Sequence, residues 1–378
     1  MLSLVSVRFL NILFNIPLKS VKYEAIEGLR GYLAIFVFIH HSILYFYYLH
    51  YQNWNISGPK LFNHFGEISV VLFFMITGFL FSSKLINQNL KTNWIELFTS
   101  RILRVYPAFI FLSFFQIVLI FFIGNFTIHE PTITILKEII IWLGFSIIDY
   151  LPINGFKDTN LITANVLWTI RYEWVFYFSL PILSLIISKY IPKIGVLLVS
   201  SIMMIIIAKY IHLQPVFIYA FGGGILTALI INNKYITEFT KKSISSFVIL
   251  GCILSVVLLF DTAYGVIPIS MLFIAFVGIA SGNNLFGILT SKTSKHLGQL
   301  SYSIYLLHGI VLYFTFMVII KSNTASSLTL LNHWLIIAVC SVFVILVSFV
   351  CFKWIEAPCI ASSKVISNKI NKIFNRTK

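Results

Sequence analysis

The sequence predicts an all-α polytopic membrane protein with about ten transmembrane helices, both termini cytoplasmic, and one re-entrant or surface helix in a long outer loop. Three observations predict it. Of 378 residues, 59% are hydrophobic and 10% charged, with a mean hydropathy of +0.94, far from the balance of a soluble domain. Apolar runs able to cross the ~30 Å hydrocarbon core begin near residues 29, 68, 103, 166, 194, 214, 245, 264, 300 and 331. Third, if these ten runs cross and the shorter run 134–149 does not, 21 of the 27 Lys and Arg residues fall on the N-terminal side. Lys60, Lys137, Lys157, Arg171, Lys209 and Lys321 stay on the other side or at outer span ends. The positive-inside rule selects this arrangement. An eleventh crossing at 134–149 would put the basic groups around Lys189 and Lys193, and around Lys234, Lys241 and Lys242, outside.

The net charge of +15 does not indicate nucleic acid, because the basic residues are scattered among apolar runs and form no basic face with interleaved aromatics. Residues 1–22 have a broken apolar pattern with late charges and no small-residue cleavage site, which reads as an interfacial helix on the membrane and not as a cleaved signal peptide. Residues 23–358 form one membrane domain, the outward loop lies between Gly124 and Asn165, and residues 359–378 are a basic cytoplasmic tail. Cys252, Cys340, Cys351 and Cys359 lie in or beside apolar segments without paired spacing, so neither a disulfide nor a metal is expected. There is no P-loop or dinucleotide fingerprint. Gly222 to Gly224 read as a close-packing point between helices.

Four segments place chemistry inside apolar runs, where a charged side chain costs roughly 2.5 to 3.5 kcal/mol on insertion scales and so marks a site. In "EAIEGLRGYLAIFVFIHHS" Arg30 and His41 are eleven residues apart. At ~100° per residue they return to within ~20° of each other, whereas His40 points ~80° away. Arg30 then sits at the cytoplasmic surface and His41 roughly 16 Å deeper. In "RILRVYP" Arg101 and Arg104, at i and i+3, present two planar forks suited to phosphate at the cytoplasmic entry of the third span. "LWTIRYEWVFYFSLP" carries Trp168, Arg171 and Glu173, with Glu173 roughly 10 Å below the outer surface and Arg171 or a histidine as its expected partner. "LGQLSYSIYLLHGIVLY" buries His308 among aromatics, three residues after Tyr305.

Taken in order, these segments resemble the integral membrane acyltransferase-3 family, O-acyltransferases that modify bacterial surface polysaccharides. Glu27, Gly28-Leu-Arg-Gly31 and His41 resemble its opening pattern, and "SVVLFFMITGFLFS" its second span. Arg101 with Arg104, Trp168 with Glu173 and Phe176-Tyr177, Ser301-Tyr302-Ser303 with Tyr305 and His308, and Glu356-Ala-Pro358 complete the set. Val71 stands where many members carry Asp, and Arg171 where small polar residues are usual. The resemblance implies cytoplasmic acyl-CoA, most often acetyl-CoA, as donor and a hydroxyl of a lipid-linked or envelope glycan, such as an O-antigen or exopolysaccharide, as acceptor. The setting it implies is the bacterial inner membrane, among membrane lipids, with no metal and no nucleic acid. It also implies that Arg30, Arg101 and Arg104 meet the CoA phosphates. His41 then serves as general base or accepts the acyl group itself, with Glu173 or Glu27 orienting a histidine. His40, His308, Tyr305, Trp168 and Arg171 are second-tier candidates, and oligomerisation is left open. The rivals are a glycan flippase, for which the chain lacks an internal repeat or paired broken helices, and a polysaccharide polymerase, whose outer loops would carry more arginine.

Overall fold

The computed structural model describes residues 2–14, 18, 21–55, 58–87, 92–144, 151–187, 192–210 and 213–376. Its helices are α1 (Leu2–Phe14), α2 (Glu24–Tyr51), α3 (Lys60–Asn87), α4 (Trp94–Ile123), α5 (Thr132–Leu143), α6 (Leu167–Ile187), α7 (Ile194–Tyr210), α8 (Pro215–Ile230), α9 (Lys234–Thr240), α10 (Ser243–Leu259), α11 (Val266–Ala280), α12 (Lys292–Tyr313), α13 (Ser322–Ala325), α14 (Leu330–Cys351) and α15 (Ala357–Arg376). A 3₁₀ turn occupies Leu161–Thr163, and π-helical stretches follow α12 and α14. No β-strand occurs among the described residues.

This is an all-helical membrane protein. Each of the ten expected runs coincides with a helix: α2, α3, α4, α6, α7, α8, α10, α11, α12 and α14. Five helical stretches among the described residues are long and apolar enough to cross a bilayer: Glu24–Tyr51, Lys60–Asn87, Trp94–Ile123, Lys292–Ile319 and Leu330–Ile373. The pair α8 and α9, bent by 104°, makes a sixth when counted as one span. The apolar helices α7, α10 and α11 have 17, 17 and 15 residues. At about 1.5 Å per residue the shortest covers roughly 22 Å, less than the ~30 Å core. Ten crossings with both termini inside therefore stand as our proposal. Of the run 134–149, residues 134–143 belong to α5 and the part beyond 144 lies outside the described residues.

Two compact units organise the chain: Met1–Asn87 with Leu213–Tyr305 and Ile319–Ile345, and Gln88–His212 with Leu306–Val318 and Leu346–Lys378. In the first, α2, α3, α8 and α11 pack through small residues. A Cβ on Gly78 would run into the Phe221 carbonyl, and one on Gly224 into the Met75 carbonyl, so that α3 and α8 meet backbone to backbone. Of the three glycines 222 to 224, Gly222 has open space instead. The start of α2 meets α12 and the turn before it in the same way, since Gly28 abuts Leu289 of that turn and Gly31 abuts Leu297 and Gly298 of α12.

In the second unit two contacts fix the register along α4. Phe98 stacks on Phe178, with centroids 5.5 Å apart, and the buried Gln116 Nε2–H donates to the Thr159 carbonyl at 2.8 Å. The returning chain is thus antiparallel to α4, and α6 begins level with the middle of that helix. Residues 151–166 descend alongside α4 before α6 starts. Ile162, Thr163 and Ala164 are fully buried, and Gly309 of α12 lies directly against Thr163 and Ala164. Three contacts above tie this descent down. The Trp142 Nε1–H donates to the Leu151 carbonyl at 2.6 Å, the Asn154 backbone N–H donates to Glu138 Oε2 at 3.0 Å, and the Asn154 side chain bonds the backbone at Thr127 and His129.

Candidate active site

In the first unit, α2 carries Glu27, Arg30, His40 and His41. Glu27 Oε2 lies 3.6 Å from Arg30 Nη1, one turn along the helix, and both side chains are largely buried. Gly28 and Gly31 flank the arginine because α12 approaches too closely for a Cβ, so the Gly-Leu-Arg-Gly pattern has a packing cause: it clamps the Arg30 turn against a neighbouring helix.

The two histidines differ in what they touch. His40 Nδ1 donates to the Phe62 carbonyl of α3 at 2.8 Å, and its ring lies over Gly66, where a Cβ would come within 2.6 Å of it. That histidine is a rivet between α2 and α3. His41 Nδ1 donates to the carbonyl of Val37 in its own helix at 3.0 Å. A carbonyl only accepts, so Nδ1 carries a hydrogen, and when the ring is neutral its lone pair is on Nε2. The His41 ring lies 5.0 Å from that of His40 and 6.5 Å from that of Trp54, and it is half-buried. Beside it, the fully buried His333 of α14 donates from Nε2 to the Ser42 carbonyl at 2.9 Å, fastening α2 at the next residue. Tyr305 packs edge-on to Phe73 of α3, with centroids 6.0 Å apart.

The second unit holds the other group. From the register of α4 against α6, Glu173 is level with Arg101 and Arg104, and the charges of both arginines act at the Tyr177 hydroxyl. The Tyr177 O–H donates to Glu173 Oε2 at 2.7 Å, and Arg171 is buried in the same helix. Trp168 meets Tyr172 edge-on at 5.8 Å. His308 is fully buried, one residue before the Gly309 that packs against Thr163 and Ala164.

This placement bears on how Glu173 and the arginine pair stand relative to one another along α4 and α6. The sequence places Glu173 roughly 10 Å below the outer surface and the arginine pair at the cytoplasmic entry of the third span, yet along α4 and α6 they share a level. Residues 151–166 fold down along α4, so α6 starts level with the middle of that helix, and Arg101 and Arg104 lie two to three turns inside α4. Tyr177, seen in the sequence only as part of a Phe-Tyr pair, is a bonded partner of Glu173. The i, i+4 spacing of these two residues was the available signal.

A family model described as an acyltransferase domain matches residues 23–353. The chain belongs to the acyltransferase-3 family. As a membrane acyltransferase it carries, within the matched span, every candidate residue in both groups. No curated protein and no solved structure matches the chain.

Proposed function

We propose that this acyltransferase moves an acyl group, acetyl in the simplest case, from cytoplasmic acyl-CoA to a hydroxyl of a lipid-linked or envelope glycan at the bacterial inner membrane. The observation that carries the reading is the state of His41, a half-buried imidazole in an apolar helix whose Nδ1–H is committed to Val37, leaving Nε2 as the basic nitrogen. Nε2 takes the proton of the acceptor hydroxyl as the oxygen attacks the thioester carbonyl. The C–S bond then breaks, and the CoA sulfur leaves and takes up a proton. The Nδ1–H bond to Val37 holds the ring in the base tautomer throughout.

Arg101 and Arg104 bind the CoA phosphates by charge-assisted bonds. Their level along α4 beside Glu173 and Tyr177 supports a donor group drawn into the helical layer and not held at its rim. Arg30, steadied by Glu27, is a further phosphate ligand. The test is acyl transfer by purified protein in lipid nanodiscs, with radiolabelled acetyl-CoA and isolated envelope glycan. Label appearing in the glycan with one free thiol released per acetyl is the expected result. Thiol release with no labelled hydroxyl product, or no consumption of acyl-CoA, would overturn it. Rapid quenching separates direct transfer from an acyl group carried on His41.

A further inference from the structure

Helix α2 ends at Tyr51, and Gln52, in the left-handed region with φ 53° and ψ 30°, turns the chain back over the helix with its N–H on the Tyr48 carbonyl. That reversal carries Trp54 onto a stripe of α2 made by His41, Tyr45 and Tyr48, at i, i+4 and i+7. The Trp54 ring lies 6.5 Å from His41 at an interplanar angle of 30°, and meets Tyr45 and Tyr48 edge to face at 5.1 and 5.8 Å. Tyr45 is fully buried, whereas His41, Tyr48 and Trp54 each keep part of their surface open.

An indole near the end of a membrane helix usually belongs to the interfacial belt, its ring set among head groups. Trp54 does the opposite, since it folds inward onto the face of α2 that bears His41. It thereby sets a flat, half-open aromatic surface beside the His41 ring. A pyranose ring has one face of polarised C–H groups, which suits the negative face of an indole, while its hydroxyls project at the rim.

We propose that Trp54 is the sugar-binding wall of the acceptor site, stacking on the C–H face of a pyranose so that a rim hydroxyl meets His41. This rests on the reading of His41 as the base and of a glycan as the acceptor. Tyr45 and Tyr48 brace the indole edge-on and fix its tilt.

The test is saturation-transfer NMR and titration on the protein in nanodiscs. The probes are methyl β-D-glucopyranoside, methyl β-D-galactopyranoside and methyl N-acetyl-β-D-glucosaminide, with acyclic sorbitol as control. At least one pyranoside is expected to bind in preference to sorbitol, receiving saturation on its ring C–H protons. Trp54→Phe should keep that binding within about threefold, and Trp54→Leu should weaken it about tenfold, as for loss of an aromatic stack, with acyl-CoA affinity unchanged. No pyranoside preferred over sorbitol, or Trp54→Leu binding as well as the parent, would overturn the site. So would a Trp54→Leu protein that also loses acyl-CoA affinity, because Trp54 would then only pack. A pyranoside preference without acyl transfer to any hydroxyl would leave the sugar site standing and overturn the transfer reading instead.

Discussion

The Tyr177 hydroxyl donates to Glu173 Oε2 at 2.7 Å, one turn back along α6. It binds the carboxylate in one rotamer at the level of Arg101 and Arg104. A hydrogen bond to a charged group contributes about 1.5–3 kcal/mol, so Tyr177→Phe should lower kcat for acyl transfer about ten- to a hundredfold. The thermal midpoint should fall as well, because the bond is lost at a buried residue. Glu173→Gln should cost at least as much, and the double variant no more than Glu173→Gln alone. Additive losses in the double variant would show that the two residues act separately.

Replacing Arg101 and Arg104 together by alanine should weaken acyl-CoA binding in detergent calorimetry. Each phosphate contact is a charge-assisted bond of about 1.5–3 kcal/mol. The double lysine variant should recover part of the affinity, because lysine keeps the charge and loses the planar fork. Equal affinity of parent and double alanine protein would show that the pair does not bind the CoA phosphates.

His41→Ala should abolish acyl transfer while the protein still inserts and binds acyl-CoA. His40→Ala should leave measurable turnover and lower the melting midpoint, since it opens a hole over Gly66 and removes the side-chain bond from α2 to the Phe62 carbonyl. Turnover retained in His41→Ala and lost in His40→Ala would reverse the assignment.

A Cβ on Gly28 runs into the Leu289 carbonyl, and one on Gly31 would sit 2.7 Å from the Gly298 nitrogen. Alanine at either position should destabilise the protein by about 1–3 kcal/mol, the usual cost of overpacking, and displace Arg30. Gly222→Ala, where nothing lies within 4 Å, is the control and should be silent in the same melting experiment.

Burial holds the Glu138 carboxyl above the usual carboxylate range, with the Glu130 carboxylate pushing the same way against the Asn154 N–H bond. A carboxyl raised in the folded state stabilises its surroundings when protonated, and that contribution is lost as pH rises through the folded value. The turn at 151–156 should therefore show faster amide exchange at pH 8 than at pH 5 after correction for intrinsic rates, and Glu138→Gln should remove the difference. An equal pH response in the variant would show that Glu138 is not the group responsible.

What the sequence determined by itself is what local pattern controls. Apolar runs without charges have to be helices in a bilayer, because no water there can satisfy an open backbone, and all ten expected runs are helical. The separation of His40 from His41 was equally legible, since helical phase alone puts Arg30 and His41 on one stripe and turns His40 toward the neighbouring helix. Tertiary structure decided the rest, because depth and partnership depend on contacts distant in sequence. Glu173 lies level with the arginine pair only because residues 151–166 sink along α4, their buried backbone held by groups such as Gln116 on a neighbouring helix. Trp54 reaches His41 only because Gln52 reverses the chain, and Gly28 and Gly31 are required only where α12 closes on α2. Periodicity gives the face a residue occupies, and only packing gives what stands opposite it.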